Sequence, residues 1–267
     1  MQSEIELCRE LFPQLLEIAL TDFNDPNLKS EIKGDSTPVT QTDLKLDKLI
    51  HNAISKRFPI DHILSEEKEG NLKHIGRMWI IDPICGTGNF GTGVLFFTTN
   101  ISLVIDGKPA FAFSVDYPNK TYFWASQDQP GVYIKDKRQG NKFILDAHRV
   151  PSVDPGYVPF TGTKDERSGL ADIYKEFLNL NYWVSSLGSS LTFPYAAIGR
   201  YGLQLVTKAY PWDIVSGAFM MEQNGGAVTN LDGTPWDITS TSVLGSLDHD
   251  LHFKALEIVK RHWPNNI

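Results

Sequence analysis

Two helices are predicted near the start of the chain from the spacing of its apolar residues. Over residues 4–23, apolar side chains recur every three or four positions, which places them on one face of a helix. Pro13 lies inside this stretch and marks either the true start of the helix or a kink. A second stripe predicts a helix over residues 42–58, for which Thr40 or Thr42 provides the N-terminal cap.

The middle of the chain has the pattern of β-strands. Residues 78–82 form a short apolar run, which predicts a buried strand that ends in a turn at Pro83. Residues 98–135 contain several β-rich runs separated by turn residues, which predicts an antiparallel meander. Beyond this, strands are expected over residues 182–185, 203–206, 227–230 and 242–244, and helices over 190–198, 212–223 and 248–262. A layered α/β protein with mixed sheets fits this order.

The composition is that of a globular protein, and it excludes some classes of function. The chain has 267 residues, of which 41% are hydrophobic and 21% charged, and its net charge is -7. An acidic protein does not attract polyanions through its overall field, so nucleic-acid binding is not expected. The first ten residues lack a basic stretch, and no apolar run reaches the roughly 18 residues of a membrane helix, so neither a signal peptide nor a membrane span is expected.

The two cysteines, Cys8 and Cys85, are too few for a disulfide framework. Reduced thiols in a cytoplasmic protein are the plainer expectation. Because the overall field repels anions, an anionic substrate must be held locally, by a metal ion or by a helix N-terminus.

Four separate segments contain the acidic side chains that suggest such a site. They are residues 39–43, 64–67, 79–90 and 211–213. In the third segment an apolar strand delivers Asp82, and Pro83 and Gly86 then force a tight turn whose amides can cradle an anion. A carboxylate beside an anion site repels a phosphate unless a divalent cation lies between them, and Mg²⁺ prefers such oxygen ligands. Glu66 and Asp213 are the candidate ligands from the other segments.

Local structural explanations remain open for each of these acids. Asp213 opens a predicted helix and can simply cap it. Asp82 can be a turn former before Pro83. Glu66 and Glu67 can be solvated surface charges, which is the better interpretation of an isolated pair of glutamates.

Taken together, the four segments resemble the inositol monophosphatase family, part of a metal-dependent phosphatase superfamily that also includes fructose-1,6-bisphosphatase and bisphosphate nucleotidase. The family pattern is Thr-x-x-Asp before the second helix, Glu-Glu after it, then Trp-x-Ile-Asp-Pro-x-Asp-Gly-Thr-x-Asn-Phe, and Trp-Asp at the start of a later helix. The corresponding residues here are 40–43, 66–67, 79–90 and 212–213, in the same order over nearly the whole chain.

The resemblance implies a layered αβαβα sandwich of the inositol monophosphatase and fructose bisphosphatase type. It also implies Mg²⁺-dependent hydrolysis of a small phosphate monoester by a metal-activated water, without a covalent intermediate. In this interpretation residues 1–267 form one unit, with a metal-binding α+β half with an antiparallel sheet over 1–150 and a smaller α/β half over 151–267. Members of the family are often homodimers, so a homodimer is a possible state of this chain.

The resemblance also assigns roles to individual residues. The first metal ion is expected at Glu66, Asp82 and the Ile84 carbonyl, and the second at Asp82 and Asp213. Glu66 and Thr87 are expected to orient the attacking water, with Asp43 as the hydrogen-bonding partner of Thr87. The substrate, a small phosphorylated metabolite, is expected at the amides after Cys85, which are those of Gly86 and Thr87, and at Gly188, Ser189 and Lys208.

Two positions depart from the family pattern. Cys85 replaces the second aspartate of the long motif. A neutral thiol is a poor ligand for Mg²⁺, whereas a thiolate prefers softer metals such as Zn²⁺, so Mn²⁺ or Zn²⁺ is an alternative to Mg²⁺ at this position. Val206 stands where inositol-specific members have a glutamate that binds ring hydroxyls. The alternative to an enzyme is therefore a catalytically weakened or non-catalytic relative that binds a phosphorylated metabolite or a protein partner.

Overall fold

The structure is a computed structural model that describes residues 1–25, 27, 30–32, 38–68, 70–140, 152–156 and 162–264. Its helices are α1 (Gln2–Phe23), α2 (Gln41–Arg57), α3 (Thr87–Gly91), α4 (Lys164–Asn179), α5 (Thr192–Ala197), α6 (Pro211–Gln223) and α7 (His249–His262). Its strands are β1 (Ser30–Ile32), β2 (Pro38–Thr40), β3 (His62–Ser65), β4 (Arg77–Cys85), β5 (Thr98–Ile105), β6 (Lys108–Asp116), β7 (Thr121–Ser126), β8 (Gln129–Ile134), β9 (Lys137–Arg138), β10 (Ser152–Asp154), β11 (Trp183–Val184), β12 (Leu203–Val206), β13 (Ala227–Thr229) and β14 (Val243–Ser246).

A seven-stranded sheet occupies the first half of the chain, in the order β3-β4-β5-β6-β7-β8-β9. β3 and β4 are parallel, and every other neighbouring pair is antiparallel. Side chains alternate between the two faces of a strand. Trp79 and Ile81 of β4 therefore pack against α1 and α2, whereas Ile80 packs with Val215 of α6 on the opposite face.

A five-stranded mixed sheet, in the order β11-β10-β12-β14-β13, forms the second β layer. One of its faces packs against α4 and α7, through residues such as Ile173 and Val259. Its other face meets α5 and α6, which also contact the first sheet. The layers therefore run helix, sheet, helix, sheet, helix, and the αβαβα architecture expected from the sequence is confirmed.

Most of the elements predicted from apolar spacing are present. α1 runs through Pro13 without ending there, and Thr40 caps α2 by accepting hydrogen bonds from the first turn. The antiparallel meander over residues 98–135 is confirmed as β5 to β8. The helix expected over residues 190–198 is shorter, at Thr192–Ala197, and α4 was not predicted.

Both cysteines are free thiols, as expected from their number. Among the described residues, no helix combines the length and the apolar character that a membrane crossing requires.

Candidate active site

A β-bulge in β4 brings Asp82 and Cys85 to the same side of the sheet. In a regular strand, residues three positions apart point to opposite faces. Here Asp82 pairs with Asn100 and Cys85 with Thr98, so the register shifts between them and an extra residue is accommodated on β4. Thr99 stabilises this bulge, because its hydroxyl donates to the Pro83 carbonyl at 2.6 Å.

The Asp82 carboxylate is fully buried. Neither of its oxygens meets a hydrogen-bond donor at normal geometry within the described part of the chain. Burial, and then the charges of Glu66 and Asp213, raise the pKa of Asp82 well above its usual range. An uncompensated carboxylate in this position is costly unless a cation neutralises it.

Cys85 and Asp213 complete a compact group of ligand atoms with Asp82. One oxygen or sulfur atom from each of the three side chains lies within 4.8 Å of the others. The Cys85 thiol donates to Oδ1 of Asp213 at 3.7 Å and accepts from the Ser190 amide at 3.2 Å. Desolvation, and then the charges of Asp82 and Asp213, raise the pKa of this thiol well above its usual range.

Asp213 lies in the first turn of α6 and has two functions in the structure. Its Oδ2 accepts a hydrogen bond from the Tyr210 amide at 2.9 Å, which caps the helix. Its Oδ1 faces Cys85. The two explanations offered by the sequence, a helix cap and a site residue, are therefore compatible, because each uses a different oxygen.

Glu66 reaches the same region because β3 runs parallel to β4. Ser65, the last residue of β3, pairs with Ile81, and the Glu66 amide donates to the Ile81 carbonyl at 3.1 Å. Glu66 is partly buried, and its charge is the largest electrostatic influence on the pKa of Asp82. Glu67 follows it and is also partly buried, so neither residue is a fully solvated surface charge.

Thr87 and Asp43 form a second polar pair beside the carboxylates. The Thr87 hydroxyl lies 3.3 Å from Oδ1 of Asp43 and 2.9 Å from the Ile84 carbonyl oxygen. The other Asp43 oxygen closes the capping box of α2, because it accepts from both the amide and the hydroxyl of Thr40. Asp43 is fully buried, so its orientation is fixed from both sides.

The turn after Cys85 requires glycine. Gly86 has a φ of 102°, and a Cβ there would lie 3.1 Å from the Cβ of Ser189. Ser189 donates its hydroxyl to the Cys85 carbonyl at 2.8 Å. Asn89 donates to the Leu187 carbonyl at 2.7 Å, next to Gly188. The Gly188–Ser189 segment is therefore attached to the Cys85 turn on both sides.

Val206 is the last residue of β12, and Lys208 lies in the segment between β12 and α6. Lys208 is exposed, and its ammonium forms an ion pair with Oε1 of Glu166 at 2.7 Å. Val206 is partly buried and packs against the apolar cluster shared by α5 and α6.

One polar network, between the first sheet, Ser190 and α6, was not predicted from the sequence. Asn100 donates to the Ser190 hydroxyl at 2.8 Å and accepts from Ser114 at 2.7 Å. Ser114 in turn contacts Ser216 of α6 at 2.8 Å. This network holds the segment behind Cys85 against the first sheet and α6. The polar residues inside apolar strands, Asn100 and Ser114, were the available signal.

Comparison with known proteins relates the whole chain to one family. The sequence profile of the inositol monophosphatase family matches residues 3–263. The histidinol-phosphatase of Mycobacterium tuberculosis is 26% identical over 81% of this chain and 83% of its own length. The inositol-1-monophosphatase of Caulobacter vibrioides is 26% identical over 88% of this chain and 93% of its own length.

A solved structure supports the fold. An IMPase/NADP phosphatase complexed with Mg²⁺ and phosphate superposes with a TM-score of 0.80 at 20% identity. The alignment covers 96% of this chain and 95% of that one. At this identity the likeness establishes the architecture, and the bound Mg²⁺ and phosphate belong to that protein.

Proposed function

The chain belongs to the inositol monophosphatase family, and we propose that it hydrolyses a small phosphate monoester with the help of divalent metal ions. The observation that carries this proposal is the state of Asp82. Its carboxylate is fully buried and has no hydrogen-bond partner at normal geometry among the described residues, and it lies beside two further ligand atoms. Such a group is destabilising as a carboxylate unless a cation balances its charge or it takes up a proton.

The residues present fit a site for Mg²⁺ or a related ion. Glu66, Asp82 and the Ile84 carbonyl would hold one ion, and Asp82, Cys85 and Asp213 would hold a second. The Ile84 carbonyl already accepts from Thr87, and its second lone pair remains for a metal. When bound, such ions polarise a phosphoryl oxygen and lower the pKa of a coordinated water.

The chain's own side chains orient the water and the phosphate. The Thr87 hydroxyl has a single hydrogen, which lies between the Ile84 carbonyl at 2.9 Å and Oδ1 of Asp43 at 3.3 Å. When that hydrogen is directed to Asp43, the lone pairs of the Thr87 oxygen would accept a proton of the attacking water. Glu66 provides a second acceptor for the same water. The amides of Gly86 and Thr87, in the turn after Cys85, bind the phosphate oxygens. Gly188 and Ser189 contact the remainder of the substrate.

Both halves of the chain supply parts of this site. Glu66 and Asp82 come from the first 150 residues, and Asp213 comes from the remainder. We therefore propose that residues 1–267 act as one catalytic unit, with the metal ions between the halves. A homodimer and a cytoplasmic location stay predictions.

Lys208 and Val206 bear on the substrate. Lys208 forms an ion pair with Glu166, whose side chain is only 12% exposed, so its ammonium would have to leave this carboxylate to bind a second anionic group on the substrate. Val206 offers no hydrogen bond to a sugar or polyol hydroxyl. A phosphate ester with a second charged group therefore suits the site better than inositol monophosphate.

A phosphatase screen tests the proposal. Purified protein is assayed against sugar, polyol, nucleotide and amino-alcohol phosphates with Mg²⁺, Mn²⁺ and Zn²⁺ in turn. We expect at least one ester to be hydrolysed in a metal-dependent way, and the activity to disappear in Asp82→Asn. A folded protein that is inactive on every ester with every ion would contradict the proposal.

The alternative is a non-catalytic relative that binds a phosphorylated metabolite or a protein partner. The observation that favours it is Cys85. At this position the family pattern has a carboxylate, whereas here a thiol donates a hydrogen bond to Asp213. Calorimetry distinguishes the two functions, because the alternative predicts binding of a phosphate ester with no release of inorganic phosphate.

A further inference from the structure

We propose that Asp82, Cys85 and Asp213 form a mixed sulfur and oxygen site that selects Zn²⁺ over Mg²⁺. The inference deepens the proposed function, on which it rests, because it assigns the ion preference of the second metal position. Occupancy of the second metal position would then depend on the supply of Zn²⁺ and not on that of Mg²⁺.

The spacing of the ligand atoms fits such an ion. Zn–S and Zn–O bonds of about 2.3 and 2.1 Å, at a tetrahedral angle, hold their two ligand atoms about 3.6 Å apart. Cys85 Sγ and Asp213 Oδ1 are 3.7 Å apart. These two side chains therefore do not have to move toward or away from each other to bind one ion.

Asp82 provides the independent observation that this group is a ligand site. Its side chain is fully buried, and in the described ranges neither oxygen has a hydrogen-bond partner at normal geometry; the nearest donor is the weak thiol of Cys85, which lowers the pKa of Asp82 less than burial raises it. The carboxylate is directed into the cluster, because one of its oxygens lies within 4.8 Å of the ligand atoms of Cys85 and Asp213. A carboxylate that only capped a turn would accept a backbone amide instead.

The contacts of the sulfur favour its use as a metal ligand. The Ser190 amide donates to Sγ at 3.2 Å. This hydrogen bond stabilises the charged form of the sulfur, whereas burial and the charges of Asp82 and Asp213 oppose it as long as no cation lies between them. The network of Asn100 and Ser114 holds Ser190 in place. Mg²⁺ gains little from sulfur, whereas Zn²⁺ binds thiolates readily.

Binding is an exchange of a proton for a metal ion. The S–H bond of Cys85, which points to Asp213, breaks, and its proton passes to solvent. The electron pair left on sulfur forms the bond to Zn²⁺, and no electron is transferred between centres. The ion takes the place of the thiol hydrogen between Sγ and Oδ1.

Cobalt(II) provides a direct readout, because thiolate ligation gives a sulfur-to-cobalt charge-transfer band in the near ultraviolet. The reduced full-length protein is titrated with Co²⁺, and Zn²⁺ or an excess of Mg²⁺ is then added. We expect the band in the wild type and in Cys8→Ala, which removes the buried cysteine outside the site. We expect its loss in Cys85→Ser, its disappearance on addition of Zn²⁺, and its persistence in Mg²⁺.

Three results would overturn the inference: a wild type without the band, a band that survives in Cys85→Ser, or a band abolished by Mg²⁺. Circular dichroism establishes that each variant is folded, and Cys85→Asp serves as a second variant that must also lack the band. Phosphatase activity in Mg²⁺ is measured on the same samples. Activity without the band refutes this inference alone, whereas the band without activity on any ester refutes the proposed function alone.

Discussion

The Thr87 hydroxyl lies 3.3 Å from the Asp43 carboxylate, although 44 positions separate the two residues. The contact joins the first turn of α2 to the start of α3. Because Asp43 is also held by the Thr40 amide at 2.9 Å, the position of the Thr87 oxygen depends on how α2 is capped. The capping box thus has a consequence beyond the stability of the helix.

This contact predicts the effect of substitutions at Thr87. Thr87→Ala removes the hydroxyl, and kcat is expected to fall about a hundredfold or more, the lower range for a lost acid–base group. Thr87→Ser keeps the hydroxyl and is expected to retain most of the activity. Steady-state kinetics with a generic phosphate ester check both. Equal kcat values for Thr87→Ala and the wild type would contradict the assigned role.

Asp82→Asn is expected to have opposite effects on activity and on stability. It abolishes metal binding and phosphatase activity, because the shared ligand loses its charge. It also raises the free energy of unfolding of the metal-free protein at pH values where the Asp82 carboxylate is ionised, since a buried charge beside Glu66 and Asp213 is removed. Urea unfolding with a chelator measures the second effect. Calorimetry with an unchanged metal affinity would refute the assignment.

Cys85→Asp is expected to lower the Mg²⁺ concentration that gives half-maximal rate. The substitution supplies a hard oxygen ligand and a negative charge in place of a neutral thiol. Cys85→Asn is the matched control, because it has nearly the same shape without the charge and should not show this gain. A Mg²⁺ titration of each protein, with a melting curve, is the measurement. A folded Cys85→Asp protein with equal or lower activity throughout the titration would argue against a weakened second site.

Asp154 predicts a dependence of stability on pH. It lies at the end of β10, and burial raises its pKa to about 6, while the Gly156 amide donates to it at 2.9 Å. A carboxyl whose pKa is higher in the folded state stabilises the fold at pH values below its unfolded pKa. That contribution is lost as the pH rises from about 4 to 6, by about 3 kcal/mol for a shift of roughly two units.

Urea unfolding across this pH range tests the sign. Unfolding free energies of the wild type are expected to decrease between pH 4 and 6, and Asp154→Asn is expected to flatten that decrease. If the free energy of unfolding rose by a comparable amount in the wild type and in Asp154→Asn between pH 4 and 6, other carboxyls would dominate the pH dependence.

Val206 predicts weak activity on inositol monophosphate. A hydrogen bond to a charged partner contributes about 1.5–3 kcal/mol, so Val206→Glu is expected to raise kcat/KM for this ester about tenfold to a hundredfold. Val206→Gln, of equal size without the charge, should give a smaller gain. The comparison uses inositol monophosphate and one unrelated ester. If inositol monophosphate were already the best substrate of the wild type, this interpretation of Val206 would be wrong.

Helices and turns were predicted well from the sequence where the pattern of neighbouring residues determines them. The stripe of α1 and the turn residues between β5 and β8 are properties of neighbouring positions, and both predictions were confirmed. α4 was missed, although its signal was present: Thr163 and Glu166 form a capping box, and Ile173 and Phe177 have helical spacing.

The site was harder to predict, because its parts are distant in the sequence. The residues suggested Glu66, Asp82 and Asp213 as candidate ligands, but only the family resemblance assigned Asp82 and Asp213 to one metal ion, and the roles of these residues stay predictions. The bulge that turns Cys85 toward Asp82 depends on pairing with β5. The ion pair of Lys208 was not foreseen, since its partner Glu166 lies on the helix that was missed.

The cluster of Asp82, Cys85 and Asp213 can form only after α6 has been synthesised, because Asp213 lies in that helix. Synthesis proceeds from the N-terminus, so Asp82 and Cys85 leave the ribosome well before Asp213. Cys85 and Asp213 are 128 positions apart, and a nascent chain that ends before α6 therefore lacks the third ligand. An ion at the position shared with Asp213 can therefore bind only after α6 has been synthesised, whereas the ligands proposed for the other position, Glu66, Asp82 and Ile84, are all present earlier.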